Sequence, residues 1–288
     1  RGVAVDRALL TSDAKSLIER GDVDVVAELI GGTGAARDLI LQALKMGKPV
    51  VTANKKLLAE HGREIHTVAE ENGTELLYEA SVGGGIRIVK ALREGLAANR
   101  IESLYGILNG TCNYILTRME EEHLPFDEVL SAAQAAGYAE AEPSLDIDGH
   151  DTAHKAAVLA SLAYGCIVPL DKVQVSGIRG MSAADILYAA EMGYRIKLLA
   201  IIRGGAEGVE VSVQPTLVEH RHPLATVSGV YNAVLVHGDI VGTTLYYGRG
   251  AGRAATASAV VADLADAALS LRAGGRRRDL SGVHTRTP

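Results

Sequence analysis

The sequence predicts an α/β protein in two parts: a parallel sheet over the first third of the chain, then a mixed α/β region. Three observations predict it. Short apolar runs alternate with helical stretches at about two dozen residues per repeat, the mark of βαβ units. Each early run ends in glycine or a polar turn. Beyond the middle, four longer apolar runs follow one another with little helix between them.

The first strand is read at residues 24–30, a largely apolar run of the kind buried on both sheet faces, and it ends in Gly31-Gly32. Residues 35–46 have helical periodicity and stop at Gly47. Residues 49–53 read as the second strand and 56–71 as a helix closed by Asn72-Gly73. Residues 75–81 read as the third strand, followed by Gly83-Gly84-Gly85. A strand at 101–108 leads into Asn109-Gly110-Thr111, helices at 112–122 and 126–136, a polar loop at 137–149, and a strong helix at 151–163. Strands are read at 195–203, 209–215, 231–236 and 240–247, and a last helix at 254–269 after the glycine-rich turn 248–252.

With no Trp and a single Phe, Phe126, the core has to be built from Ala, Val, Leu and Ile. A net charge of −6 argues against a nucleic-acid partner. The apolar stretches read as strand-length and broken by Gly or charge, and nothing resembles a signal peptide, so no membrane partner is expected and the expected compartment is the cytoplasm. Cys112 and Cys166 imply no disulfide framework. The Asn-Gly-Thr triplets at Asn72 and Asn109 are read as turn chemistry rather than glycosylation sites.

Ligands of parallel α/β sheets sit beyond the carboxyl ends of the strands. Three such ends carry unusual residues: Gly31-Gly32-Thr33, Thr52-Ala53-Asn54-Lys55, and Glu79 to Gly85. Singly, each reads as an ordinary turn; together they point to a cofactor site, with Lys55 placed to face a phosphate or a carbonyl. On the helix at 151–163, Asp151 and Lys155 stand at i and i+4 and share a face, while Ala156, Leu159, Ala160 and Ala163 form its packing stripe. The preceding loop carries Glu140, Glu142, Asp146 and Asp148. A surface ion pair is one reading of Asp151 and Lys155. The other is a site where carboxylates hold a substrate ammonium and the lysine exchanges a proton.

Two lookalikes fail. His150-Asp151-Thr152-Ala153-His154 has Asp where a zinc helix has Glu, and no third ligand follows. An EF-hand register starting at Ser144 would put Lys155 where a bidentate Glu is required. The turn Gly248–Gly252 before the last helix suits an anion or a tight turn equally.

Thr52-Ala53-Asn54-Lys55-Lys56, Tyr78 to Ile86, Leu108 to Leu116, Gly137 to Pro143, and Asp146-Ile147-Asp148-Gly149 with Asp151 and Lys155 resemble, in that order, the homoserine dehydrogenases. The likeness runs from about Val23 to about Leu269. It implies NADP- or NAD-dependent interconversion of L-aspartate 4-semialdehyde and L-homoserine, on the route to threonine, isoleucine and methionine. It implies a catalytic Lys155, and a Lys55 placed between cofactor and substrate. Glu140, Asp146 and Asp151 are implied to bind substrate, and Thr33, Lys55, Gly137 and Gly252 to contact the cofactor. Glu79, Val82, Gly84 and Ile86 are implied to hold a monovalent cation, sodium, largely through backbone carbonyls. The likeness further implies a homodimer or a dimer of dimers.

The implied division is a partial Rossmann-type NAD(P)-binding domain at 1–82, rejoined by 248–270. A mixed α/β domain at 83–247 serves substrate binding, catalysis and dimerisation, and 271–288 is a Gly- and Arg-rich tail expected to be disordered. The family's opening strand and Gly-x-Gly-x-x-Gly turn are not found before the first clear strand. About 50 residues of the family's usual start, two βα units, are expected to be absent from this sequence, which also ends before the C-terminal ACT domain that many relatives carry could fit. A different Rossmann amino-acid dehydrogenase would account for the first third alone, and an inactive fragment for the missing start.

Overall fold

A computed structural model describes residues 4–205 and 208–274. After a short helix α1 (Ala14–Glu19), the chain runs β1 (Val26–Glu28), α2 (Ala35–Lys45), β2 (Val50–Thr52), α3 (Lys55–Glu71) and β3 (Leu76–Leu77). These three strands form one parallel sheet in the order β1-β2-β3, with Val26 beside Val50 and Val50 beside Leu76. The strand expected at 75–81 stops at Leu77. Glu79–Ser81 coils into a 3-10 turn because the Ser81 hydroxyl donates to Tyr78 O and the Glu79 N–H donates to a side chain, Asp263, instead of a sheet neighbour.

The second part opens with α4 (Ile88–Lys90) and β4 (Ile101–Ile107). It continues through α5 (Gly110–Glu122), α6 (Phe126–Ala135), the one-turn α7 (Ser144–Ile147), α8 (His150–Tyr164), β5 (Gln174–Val175) and α9 (Ala183–Glu191). It closes with β6 (Tyr194–Gly205), β7 (Gly208–Glu219), β8 (Tyr231–Gly238) and β9 (Gly242–Arg249). The sheet order is β5-β7-β6-β4-β8-β9, with β5 parallel to β7 and the other pairs antiparallel. The α/β class, parallel sheet first and mixed sheet second, is the one the sequence predicts. Five elements were not anticipated: α1, α4, α7, β5 and α9. The supposed loop 137–149 contains α7, and α9 sits in a segment with no helical reading, although the Ser182–Asp185 capping box marks its start.

α8 is central. Its residues from Asp151 to Ala160 are buried, His154 alone being half-buried, as expected of a helix packed on several sides at once. Gly149, at φ +88°, turns the chain into α8 in a backbone region that side chains with a Cβ rarely adopt. One apolar cluster runs from Ile40 and Leu57 through Ile115 and Ala156 to Leu198, so both sheets share a core. On the opposite face of the mixed sheet, Leu199, Ile201, Leu224 and Leu235 form a smaller cluster. Lys197, on the face of β6 that carries Leu199 and Ile201 and 2% exposed, donates to Val227 O at 2.6 Å and Asn113 Oδ1 at 3.2 Å.

The last helix, α10 (Arg253–Arg272), returns to the first sheet. Val260 and Ala267 pack on Val51 and Leu77, Glu79 N donates to Asp263 Oδ2 at 2.8 Å, and Lys90 pairs with Asp266 at 2.6 Å. A backbone clasp accompanies it: Gly84 N and Gly85 N each donate at 3.0 Å, to Gly250 O and Arg249 O. A Cβ on residue 85 would lie 2.4 Å from Arg249 O, so only glycine allows this approach.

α10 corrects two expectations. It extends through Leu271 and Arg272, which were assigned to the tail; Ala273 and Gly274 follow it, and 275–288 lie outside the described residues. It is also an apolar stretch far longer than a strand. Among the described residues it is the one helix long and apolar enough, by length and composition, to cross a membrane. Its buried Asp263 and its packing on β2 are those of a helix seated on a sheet.

Candidate active site

The carboxyl ends of β1 and β2 are tied together by polar groups. Thr52 Oγ1 donates to buried Glu28 at 2.7 Å, and Glu28 in turn accepts from the N–H groups of Ile30 and Gly31. Asn54 caps α3 by accepting from Leu57 N at 3.1 Å and donates to Gly32 O at 2.7 Å. Beside them is a cavity of about 510 Å³ lined by Leu29, Gly31, Asn54, Arg253, Thr256 and Val260. The N-terminus of α10 opens onto it just after Gly252, so free N–H groups, a guanidinium and apolar walls face one space. Thr33 is half-buried two residues beyond Gly31. Gly137 is not at this cavity; it ends α6 at φ +76° and is exposed.

Lys55, the first residue of α3, reaches from this sheet to α8, where its Nζ lies 2.9 Å from Asp151 Oδ1. Lys155 Nζ lies 2.7 Å from Asp151 Oδ2 and donates to Leu108 O, also at 2.7 Å. Asp151 is 4% exposed and Lys155 8%, so the surface ion-pair reading is wrong: this is a buried carboxylate between two ammonium groups. Burial pushes the Asp151 carboxyl up, but Lys155 and Lys55 outweigh it and hold the group far below the usual carboxylate range. An ammonium has three N–H bonds. The two that Lys155 commits leave one for a substrate oxygen.

Asp146 joins this group through Asn109, whose Nδ2 donates to Asp146 Oδ1 at 2.7 Å and to Asp151 Oδ2 at 2.9 Å. The other loop carboxylates do not converge. The turn of α7 sends Asp148 outward to Arg179 at 2.6 Å, and Glu142 accepts from Ser144. Glu140 is exposed, its carbonyl accepting from Gln134 Nε2. Tyr138 O accepts from Thr111 Oγ1 at 2.8 Å, which fastens the Gly137–Glu140 segment to the start of α5. Cys112 is no nucleophile, since burial pushes its thiol well up and Asp146 and Asp151 add to the effect.

The Val82–Ile86 loop lies under the clasp. The Glu79 carboxylate accepts from Val89 N at 3.0 Å and Lys90 N at 2.7 Å, so its side chain is already engaged. Among the described residues no group of three His, Cys, Asp or Glu side chains is arranged as metal ligands, which leaves carbonyl oxygens as the donors a cation would find here.

Reasoning from sequence missed Leu108 O, Asn54 and Asn109. The last two each stand just before a helix, where an N-cap was legible, but nothing in the spacing showed what their amide nitrogens would meet.

A parallel sheet with a cavity at its carboxyl edge, coupled through a buried Lys–Asp–Lys group to a mixed sheet, defines a two-part α/β protein with a ligand-sized cleft beside a buried charged site. Residues 88–265 match the family model described as homoserine dehydrogenase, and residues 1–79 the model described as homoserine dehydrogenase, NAD binding domain. The chain belongs to the homoserine dehydrogenase family. It is 51% identical to the homoserine dehydrogenase of Neisseria gonorrhoeae over 94% of this chain and 62% of that protein. Its identity to that of Synechocystis is 52%, over 92% and 62%. The crystal structure of a homoserine dehydrogenase from Thiobacillus denitrificans superposes with a TM-score of 0.92 at 48% identity, over 96% of this chain and 66% of that one. A hyperthermophilic archaeal homoserine dehydrogenase in complex with NADPH superposes with a TM-score of 0.78 at 29% identity, over 90% and 75%. The chain thus spans about three fifths of the length of these curated relatives.

Proposed function

We propose that this chain carries the catalytic site of a cytoplasmic enzyme that interconverts L-aspartate 4-semialdehyde and L-homoserine with NADP or NAD. The observation that carries the reading is the buried Lys155–Asp151–Lys55 group at the junction of the two sheets. The cavity beside Gly31, Asn54 and Arg253 fits the cofactor: the α10 N-terminus and Arg253 suit its phosphates, and Leu29 and Val260 its apolar surfaces. Thr33, Lys55 and Gly252 border that space in this reading, while Gly137, a cofactor contact by the resemblance, stands outside it.

The bound nicotinamide supplies the hydride acceptor or donor. Asp146 and Asp151 hold the substrate ammonium end, and Glu140, exposed and outside their hydrogen-bonded group here, is assigned to substrate by the resemblance alone. In the reductive direction the free N–H of Lys155 faces the aldehyde oxygen and delivers the proton as that oxygen becomes an alcohol. Asp151 keeps the lysine oriented, and Lys55 balances the carboxylate from the cofactor side. A sodium ion is proposed on the carbonyls of Glu79, Val82, Gly84 and Ile86, where it would stiffen the clasp.

The proposed domain division is 1–82 with 248–270 for the cofactor and 83–247 for substrate and self-association. A dimer would use the outer face of the mixed sheet, where Leu245 and Tyr247 are exposed beside the second apolar cluster; sedimentation tests it. The test of the activity is homoserine-dependent reduction of NADP or NAD by the full-length protein. Turnover of other amino alcohols in place of homoserine would overturn the assignment.

A further inference from the structure

The side chain of Asn109 makes three hydrogen bonds that together fix the site. Its Oδ1 accepts from Cys112 N at 2.9 Å, capping α5. That N–H needs an acceptor, so the orientation of the amide is dictated and the nitrogen has to face the other way. There Nδ2 donates one N–H to Asp146 and the other to Asp151. Two like charges are brought to one donor, and each keeps its remaining oxygen for other partners. Asn109 is 5% exposed. The backbone beside it is closely packed: a Cβ on Gly110 would come within 2.8 Å of Val230 O. The residue before it supplies Leu108 O to Lys155.

We propose that Asn109 is a positioning residue that sets the distance between the proton-exchanging Lys155 and the carboxylate that receives the substrate ammonium. It acts through Asp151 on one side and Asp146 on the other. The charged and titratable groups that face it are Asp146 from α7, Asp151 and Lys155 from α8, Lys55 from α3 across Asp151, and the Cys112 thiol on its own helix. Only a side chain with an acceptor at one end and two N–H bonds at the other, one methylene from the backbone, does all three tasks. The inference rests on the function proposed above.

The test compares full-length wild type with Asn109→Asp and Asn109→Ser. Both variants keep an oxygen to cap α5 and lose the bridging nitrogen, and Asn109→Ser adds no charge. The expected result is a fall in kcat for homoserine oxidation of roughly 100-fold in Asn109→Asp and roughly tenfold in Asn109→Ser, with a raised KM for homoserine and a thermal midpoint in Asn109→Ser close to wild type. Unchanged kcat and pH profile in a folded Asn109→Ser overturn the inference and leave a cap alone. A second measurement needs no turnover. Carbon-13 NMR of the Asp151 carboxyl is expected to show it titrating at higher pH in Asn109→Ser than in wild type, because a donor to the carboxylate is lost, and identical titrations overturn the inference. Wild type that does not oxidise homoserine sinks the proposed activity, and the NMR comparison then still decides the role of Asn109.

Discussion

Lys55 and Lys155 hold opposite oxygens of one carboxylate, Asp151, from two different helices. The first begins at the end of a parallel strand and the second lies under the mixed sheet. The two halves of the molecule are therefore joined electrostatically at the point where chemistry is proposed, and a charge in one half is felt in the other.

Replacing Lys155 with Ala in the full-length protein is expected to lower kcat by about 1000-fold, the range of a lost general acid. Cofactor affinity, measured by fluorescence titration, is expected to stay within about twofold, because Lys155 lies outside the cofactor cavity. Near-normal kcat would remove Lys155 from the mechanism.

Asp151→Ala leaves two ammonium groups facing each other without their anion. Removing one partner of a buried pair costs about 3 kcal/mol or more. Denaturant unfolding is expected to show a larger loss for Asp151→Ala than for Lys155→Met, which removes a charge along with its partner's burden; the reverse order would contradict the geometry.

Much of this frame was legible in the sequence. The 3.6-residue periodicity of 35–46 and 56–71 and the i, i+4 spacing of Asp151 and Lys155 depend on local geometry, which sequence encodes directly. The Lys55–Asp151 pair joins residues far apart in the chain, and no local pattern contains it. Glu142 and Asp148 looked like part of the site because a run of carboxylates reads as one cluster, yet a single helical turn at Ser144–Ile147 points them elsewhere. The third strand looked longer than it is, since nothing near Glu79 announces that its N–H is claimed by Asp263 on the last helix.

Gly85→Ala forces the clasp apart at Arg249 O. Overpacking of this kind costs about 2 kcal/mol. The expected outcome is a lowered thermal midpoint with the far-ultraviolet spectrum retained; an unchanged midpoint would show that the two loops yield freely.

Burial lowers the Lys197 ammonium to about 8, with the Glu120 charge opposing. Between there and the ordinary lysine range of about 10.4, the unfolded chain binds more protons than the folded one, so stability gains with rising pH from this group. Below about 8 the burial cost is fully present. Wild type is expected to gain about 3 kcal/mol relative to Lys197→Met between neutral and strongly alkaline pH, read from urea midpoints. Parallel pH curves for the two proteins would refute it.

Asn54→Ala removes the α3 cap and the bond to Gly32 O. A loss of about 1 kcal/mol in stability is expected, with weaker NADPH binding in a calorimetric titration. Unaltered affinity would separate the β1–β2 junction from the cofactor.

The seat that Val51 and Leu77 offer to Val260 and Ala267 has a consequence for biosynthesis. The ribosome delivers the helix that covers the parallel strands only after the whole mixed sheet has been made, so the nascent polypeptide carries a bare, oily patch through that interval. Such a patch is what holdase chaperones grip, and yield in a heterologous host should depend on how well that interval is guarded.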